Sequence, residues 1–329
     1  MAAVDLLTLG ESMVSLRSGG PLSAGGTLSM HVAGAESNVA VGVARLGHRV
    51  SWAGVLGTDP HGQFILRQLR SEGIEVRHRE DPVNSTGIMF LEQRTADVSR
   101  AYYHRSGSAG STLGSADVDR AFSGGARVLH LTGITPALSP EARHAVAYAA
   151  ERAAGEGTLV SLDVNYRSKL WSRHDAREVL VRIVPHAFIV IASDDELDLV
   201  APLHGSSGPS AAVEDPSAAE ELMAKELLGL GVREVVVKRG AAGASVHTAE
   251  GRLDVPALPV TSIDTVGAGD AFTAGYLSAL LDGEDVAGRL RRGAVAGAFA
   301  VSTAGDWEGL PCAEELSMLD RHAAGSTQR

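Results

Sequence analysis

Short β-rich runs alternate with helical segments along most of the chain, and this alternation limits its fold more than any other feature. A helix that connects two strands returns the chain to the same edge of the sheet, so the strands it joins are parallel. The predicted strands are 4–9, 50–56, 128–132, 158–163, 188–192 and 234–238, and the clearest predicted helices are 38–46, 62–72, 140–154, 176–186, 217–228, 271–281 and 285–303. The pattern predicts the α/β class: a doubly wound, mostly parallel sheet with helices on both faces.

Two segments interrupt this alternation, and we expect them to form a small β-sheet lid over the main sheet. Residues 12–32 are rich in Gly and Ser, and residues 85–103 contain TGIMFLEQ and SRAYYH, which are typical of paired strands. We therefore predict a lid of residues 12–33 and 85–108, an α/β domain of residues 1–11, 34–84 and 109–322, and a disordered tail of residues 323–329.

The composition of the chain argues against several classes of function. Among its 329 residues, 29 are Lys or Arg and 40 are Asp or Glu, and the net charge of -11 repels nucleic-acid phosphates. The single cysteine, Cys312, leaves no internal disulfide and no multi-thiolate zinc site. The amino terminus lacks the pattern of a signal peptide, and no apolar run approaches the ~20 residues of a membrane helix. We expect a cytoplasmic protein with no nucleic-acid or membrane partner.

One glycine-rich loop has the composition of an anion-binding site. Residues 264–270, DTVGAGD, lead directly into the predicted helix that begins at Ala271, so Gly267 and Gly269 lie at a helix N-terminus. Free backbone N–H groups and the positive end of the helix dipole attract an anion there, and glycine lets a phosphoryl group approach closely. No Gly-Lys dipeptide occurs, which excludes a P-loop, and no complete GxGxxG follows a strand. Asp270 is then either a catalytic carboxylate or a stabiliser of the helix N-terminus.

Two motifs resemble the signatures of one enzyme family. DTVGAGDAF at 264–272 looks like the carboxy-terminal signature of the ribokinase-like, or PfkB, carbohydrate kinases. GAESNVA at 34–40 opens a helix and is similar to the amino-terminal glycine motif of that family, although simple helix capping also explains it. The resemblance extends from Leu6 to about Pro311, and it implies a ribokinase-like fold, ATP-dependent phosphoryl transfer and a homo-oligomer formed through the lid.

The resemblance also implies roles for individual residues. Asp270 would be the base that takes the hydroxyl proton of the acceptor sugar, while Gly267, Ala268 and Gly269 would donate N–H groups to the transferring phosphoryl group. A carboxylate kept ionised by a helix dipole suits this reaction, because phosphoryl transfer needs alignment and charge neutralisation more than a strong base. The implied sugar-binding residues are Gly34, Ala35, Asn38, Met89, Tyr103, Arg105, Arg167 and Asp306.

The nucleotide and its magnesium ion are expected at a second set of residues. The glycine turn KRGAAG at 238–243 resembles the adenosine-phosphate loop of the family, although a plain hairpin turn is the alternative. Where the family usually has Asn-x-x-Glu near Mg²⁺, this chain has Ser193 and Glu196, so we expect Glu196 to act through water, or else to belong to a solvated helix N-terminus. The implied ATP-binding residues are Asn165, Arg167, Ser193, Lys238, Gly240, Gly243, Gly267 and Gly269.

The acceptor is expected to be a sugar acid. YYHRSGSAGS at 102–111 resembles a segment of 2-keto-3-deoxygluconate kinases, in which a tyrosine and an arginine contact the ligand. Arg167 follows a strand end, and a guanidinium pairs bidentately with a carboxylate, although an ordinary surface arginine is the alternative. We therefore expect phosphorylation of the terminal hydroxyl of 2-keto-3-deoxygluconate. A fructokinase or other neutral-sugar kinase, a sensor that binds a sugar acid without turnover and, more remotely, a dehydrogenase are the competing interpretations.

Overall fold

The computed structural model describes residues 3–95, 98–201 and 216–321. The tail predicted at 323–329 lies outside the described residues. Within the described residues, no helix is both long and apolar enough to cross a lipid bilayer.

The described residues contain a large, mostly parallel sheet, which confirms the predicted fold class. Its strands are β1 (Val4–Leu9), β4 (Val50–Gly57), β5 (Glu75–Asp81), β8 (Ala126–Thr132), β9 (Leu159–Asp163), β10 (Ile189–Ser193), β11 (Glu234–Lys238), β12 (Ala244–Thr248) and β13 (Gly251–Val255). The strand order is β13-β12-β11-β10-β9-β8-β1-β4-β5. The pairs β11–β12 and β12–β13 are antiparallel, and the other pairs are parallel. All six predicted strands belong to this sheet, with ends displaced by at most two residues.

Helices cover both faces of the sheet. They are α1 (Ala35–Arg45), α2 (Pro60–Ser71), α3 (Ser115–Phe122), α4 (Pro140–Gly155), α5 (Arg173–Ile183), α6 (Pro216–Gly229), α7 (Ala268–Leu281), α8 (Val286–Val301) and α9 (Met318–Arg321). One apolar core joins the sheet to α3, α4, α5 and α6, and a second joins it to α1, α2, α7 and α8. Neighbouring residues of β4 alternate between the cores, with Trp52 in one and Ala53 in the other, as the two-residue period of a strand requires.

A second, smaller sheet lies within the two segments that interrupt the alternation. It contains β2 (Met13–Ser18), β3 (Leu28–Ala33), β6 (Ile88–Thr95) and β7 (Val98–His104), in the order β3-β2-β6-β7. The predicted pairing in 85–103 is confirmed, because β6 and β7 are antiparallel with Met89 opposite Tyr103. Large apolar side chains of this sheet are exposed: Leu28, Met30, Val98, Tyr102 and Tyr103.

The parallel strands end at one edge of the main sheet, and this edge positions the site described below. β9 ends at Asp163, β10 at Ser193 and β11 at Lys238. In open α/β sheets, ligands bind outside the carboxyl ends of the strands.

Candidate active site

The N-terminus of α7 forms the predicted glycine loop. Gly267 is the residue before the helix and has a φ of 75°, in the left-handed region that favours glycine. A Cβ atom on Gly267 would lie 2.2 Å from the backbone oxygen of Asp306, so a side chain has no room there. Ala268, Gly269 and Asp270 form the first turn of α7, where N–H groups have no partner within the helix; the N–H of Ala268 makes only a long bond of 3.4 Å to the backbone oxygen of Thr265. The loop therefore presents backbone donors beside a carboxyl group.

The carboxyl group of Asp270 is buried and held by two amides. Nδ2 of Asn38, in the first turns of α1, donates to Oδ2 of Asp270 over 2.8 Å, and Nδ2 of Asn165 donates to Oδ1 over 3.3 Å. Burial raises the pKa of Asp270 to about 6; the hydrogen bond from Asn38 opposes the rise and the nearby charge of Asp163 adds to it. Asn165 has a φ of 39°, a strained conformation for a residue other than glycine, and such strain is typical of functional sites.

A lysine lies against the glycine loop. Nζ of Lys238 forms an ion pair of 2.7 Å with Oδ2 of Asp163, which also accepts a hydrogen bond of 3.0 Å from Thr273. The same Nζ atom would be 3.3 Å from a Cβ on Gly269. An ammonium group thus faces the anion-binding loop, held by a buried carboxylate. Sequence reasoning named Lys238 but assigned no role to Asp163, although its place at the end of a strand was a usable signal.

A cavity of about 790 Å³ lies between the lid and the main sheet. It contains the predicted base, Asp270, together with all of the predicted sugar-binding residues: Gly34, Ala35, Asn38, Met89, Tyr103, Arg105, Arg167 and Asp306. The lid supplies Met89, Tyr103 and Arg105, while the α/β domain supplies the others. The structure therefore brings together residues that are distant in the sequence, without itself assigning their roles.

The cations of this cavity differ in how far they are already neutralised. Arg105 is buried and forms an ion pair with Glu11, so its charge has a partner. Arg167 is exposed and forms no ion pair within the described part of the chain. Lys169 is also exposed; its Nζ donates to the backbone oxygen of Ala101 over 2.9 Å and lies 5.7 Å from the centre of the Tyr103 ring. Sequence reasoning missed Lys169, two positions after Arg167 on the same loop.

The predicted nucleotide turn connects β11 to β12. Gly240 and Gly243 have φ values of 53° and 92°, and a Cβ on Gly243 would lie 2.1 Å from the backbone oxygen of Val255. Because β11 and β12 are antiparallel, the segment is a hairpin turn, the alternative considered above. Gly240 has open space around it, so the turn leaves room for a ligand there, whereas Gly243 packs against the backbone of the segment that follows β13.

The residues expected near magnesium are engaged with the backbone. Oε1 of Glu196 accepts from the N–H of Tyr166 over 2.7 Å, and Oε2 accepts from the N–H of Ser193 over 3.0 Å. The hydroxyl of Ser193 donates to Asp195 over 2.6 Å. Among the residues with described positions, no group of three or more His, Cys, Asp or Glu side chains could hold a metal ion. Glu196 is half-buried and each of its oxygens has one bond, so the group fits contact with a metal through water.

The N-terminus of α7 has the geometry to bind an anion, and a buried carboxyl group lies beside it with a cavity in front; this arrangement suits a phosphotransferase. Residues 4–312 match the pfkB family of carbohydrate kinases, and the chain belongs to this family.

Relatives and solved structures agree with this classification. The chain is 35% identical over 325 residues to a 2-dehydro-3-deoxygluconokinase of Thermoproteus tenax, covering 97% of this chain and 94% of the relative. It is 32% identical over 305 residues to a 2-dehydro-3-deoxygalactonokinase of Haloferax volcanii, covering 92% of each. The crystal structure of a PfkB protein from Polaromonas superimposes with a TM-score of 0.82 at 37% identity, covering 96% of this chain and 99% of the other.

Proposed function

We propose that this carbohydrate kinase transfers the γ-phosphoryl group of ATP to the terminal hydroxyl of 2-keto-3-deoxygluconate, or of a close 2-keto-3-deoxy sugar acid, and forms the 6-phosphate. The observation that carries the proposal is the cavity itself, which holds a buried carboxyl group, Asp270, together with two exposed cations, Arg167 and Lys169. A neutral sugar needs no free cation, whereas a carboxylate binds one with a large gain in specificity. The names of the two relatives, which both refer to 2-dehydro-3-deoxy acids, support the same choice.

The chemical step uses the N-terminus of α7. The terminal oxygen of the sugar attacks the γ-phosphorus, the bond from that phosphorus to the bridging oxygen of ADP breaks, and the hydroxyl proton passes to Asp270. The backbone N–H groups of Gly267, Ala268 and Gly269 stabilise the charge on the transferring phosphoryl group. Asn38 and Asn165 hold the carboxyl group of Asp270 in place through the hydrogen bonds described above.

The nucleotide would lie along the ends of β9, β10 and β11. Lys238 faces the glycine loop and would contact a phosphate, while the open space at Gly240 would receive the adenosine and Gly243 would hold the turn against the segment that follows β13. The remaining proposed contacts are Asn165, Arg167, Ser193, Gly267 and Gly269. Mg²⁺ would neutralise the phosphates, and Glu196 would hold it through water.

The exposed face of the lid is proposed to bind a second copy of this chain. Leu28 and Met30 on β3 and Val98 and Tyr102 on β7 are each more than 40% exposed. β3 and β7 are also the edges of the sheet, and unpaired edges with exposed apolar side chains favour association. A homo-oligomer formed through the lid would cover both the edge strands and the exposed apolar side chains.

The glycine loop can be tested with two substitutions of equal size. In Gly269→Ala, the added methyl group contacts only Nζ of Lys238, so the chain should fold normally; it would occupy space between the loop and this ammonium group, and kcat should fall roughly 10- to 100-fold. Gly267→Ala should in addition lower the melting temperature, because of its φ of 75° and its contact with Asp306. Gly155→Ala, at the end of α4 with open space around it, is the matched control. Full activity of Gly269→Ala would mean that the loop only begins a helix.

The pKa of Asp270 predicts the pH dependence of the reaction. The base must be ionised to accept a proton, so kcat/KM should rise with pH through about 6 and level off above it. Because the phosphates of ATP titrate in a similar range, the residual activity of Asp270→Asn is the control. If Asp270 is the titrating group, the rise of kcat/KM with pH should disappear in this variant. If the nucleotide is the titrating group, the rise should persist in both proteins.

Initial rates with ATP, Mg²⁺ and a panel of acceptors test the proposed function. The panel contains 2-keto-3-deoxygluconate, 2-keto-3-deoxygalactonate, fructose and ribose. We expect kcat/KM to be highest for one of the two acids. Activity with fructose or ribose alone would replace the proposal with a neutral-sugar kinase, and binding of the acids without ADP formation would indicate a sensor.

A further inference from the structure

One arginine of the lid forms ion pairs with two carboxylates that flank the glycine loop. Arg17 lies on β2, an interior strand of the small sheet. Its Nη1 donates to Oδ2 of Asp264 over 3.0 Å, and its Nη2 donates to Oδ2 of Asp306 over 2.8 Å. The three side chains are only 13%, 17% and 6% exposed, so water screens these ion pairs weakly. Nothing in the sequence motifs pointed to Arg17.

Asp264 is the first residue of the glycine loop and holds the start of that loop. Its Oδ1 accepts from the N–H of Val266 over 3.0 Å, and its Oδ2 accepts from the N–H of Gly305 over 3.2 Å in addition to the bond from Arg17. One carboxylate thus joins the loop to the segment that contains Asp306. Any displacement of Asp264 would change the path of the chain between it and Gly267.

Asp306 supports the other side of the loop. Its backbone oxygen occupies the space that a Cβ on Gly267 would fill. Gly267 in turn is the residue directly before α7, so its position decides where the first N–H groups of that helix point. Arg17 therefore binds the carboxylates of two residues that support the loop: Asp264, where the loop begins, and Asp306, whose backbone packs against Gly267.

The charges in this region make Arg17 difficult to replace. Asp306 is buried among the carboxyl groups of Asp264 and Glu308, and burial raises its pKa, while Arg17 opposes the rise. Glu308 has its own partner, since it contacts Nδ1 of His31 over 2.6 Å. Without Arg17, two carboxylates would face each other with no cation between them, and their repulsion would separate the loop from the Asp306 segment.

We propose that Arg17 is a positioning residue. Its ion pairs make the geometry of the anion-binding loop depend on the position of the lid. When the lid is in place, Arg17 fixes Asp264 and Asp306, and these fix Gly267 and the N–H groups that follow it. Loss of Arg17 would separate the loop from the Asp306 segment and misplace the donors to the transferring phosphoryl group. The inference rests on the proposed function, which assigns that phosphoryl group to Gly267–Gly269.

Three variants test this coupling: Arg17→Met removes the charge, Arg17→Lys keeps it without the forked geometry, and Asp264→Asn weakens one partner. We expect Arg17→Met to lower kcat roughly 10- to 100-fold, because a displacement of about 1 Å has effects of this size. KM for ATP should change by less than about 3-fold, since the described partners of the Arg17 side chain are Asp264 and Asp306 and not residues of the hairpin turn after β11. Arg17→Lys should recover part of the loss. Arg182→Met is the matched control, because Arg182 is exposed on α5, away from the lid, and forms no ion pair within the described ranges.

The double variant Arg17→Met/Asp264→Asn separates positioning from a general loss of stability. If both residues act through one loop, its loss of kcat should be smaller than the product of the single losses. Three results would each overturn the inference: independent losses, a fall in kcat no larger than that of Arg182→Met, and a loss confined to KM for the sugar. If Arg17→Met does not fold, Arg17→Lys decides: an unchanged kcat in a folded protein contradicts the coupling. Failure of the proposed function would instead be visible in the wild type, as absence of turnover with the keto acids.

Discussion

Replacing Asp270 by Asn should lower kcat by at least about 100-fold while the protein remains folded. The amide has nearly the shape of the carboxylate but cannot take the hydroxyl proton of the sugar. Asn38 can adjust, because its Oδ1 is buried and has no hydrogen-bond partner in the part of the chain described here, so a rotated amide can accept from the new side chain. The expected loss of at least about 100-fold therefore lies in the chemical step, and it is measured as kcat at saturating ATP and sugar.

Stability should separate this effect from unfolding. The folded protein holds a proton on Asp270 up to a pH of about 6, whereas an unfolded chain releases it near the ordinary pKa of 3.8. The carboxyl group therefore contributes less to stability as the pH rises through this interval, and it opposes folding once it is ionised. Asp270→Asn should melt at the same temperature as the wild type or higher at pH 7.5. Asp285→Asn, at the N-cap of α8, is the control and should keep full activity. Near-normal turnover of Asp270→Asn would exclude it as the base.

Replacing Arg167 by Ala should reduce kcat/KM for the sugar acid roughly 30- to 1,000-fold and leave a neutral sugar almost unaffected. Arg167 is an exposed cation of the cavity whose side chain, unlike that of Lys169, has neither an ion pair nor a hydrogen bond in the described segments, so it is free to bind a carboxylate. The expected loss is smaller than that for a fully buried ion pair, because the Arg167 side chain is solvated before the ligand binds. Arg49→Ala removes an arginine that is 63% exposed and serves as the control for a general effect of charge.

The same variant decides between two roles for Arg167. If the guanidinium binds the carboxylate, only the acid loses; if it binds a phosphate of ATP, acid and neutral acceptors lose equally and KM for ATP rises. Lys169→Met should produce a smaller, acid-selective loss, because Nζ of Lys169 already donates to Ala101. Equal losses for both acceptor types in Arg167→Ala would contradict the assignment to the sugar acid.

The sequence predicted those elements of the fold that carry their own periodic signal. The interior strands consist of nearly continuous apolar residues because both faces are covered, and their limits follow from that pattern. β5, with the sequence EVRHRED, escaped prediction because it is an edge strand in which charged residues alternate with few apolar ones. The hairpin β12–β13 is short and partly exposed, so its pattern is weak as well.

The site was predictable where a motif placed a residue at a helix start, as for Asp270 and Gly267. Contacts between distant segments were not, since they depend on how the lid packs on the sheet. Glu11 and Arg105 are 94 positions apart, so nothing local indicates that this arginine is already neutralised. The same holds for Arg17, whose partners lie more than 240 positions away.

The acceptor specificity of the wild-type enzyme tests the central claim most directly. Equal concentrations of 2-keto-3-deoxygluconate and fructose compete for limiting ATP with Mg²⁺ present, and phosphorus NMR with proton coupling identifies each product and the carbon that carries its phosphate. We predict that the 6-phosphate of the keto acid accumulates in large excess. A predominance of fructose phosphate, or a phosphate on any carbon of the acid other than the terminal one, would contradict the account.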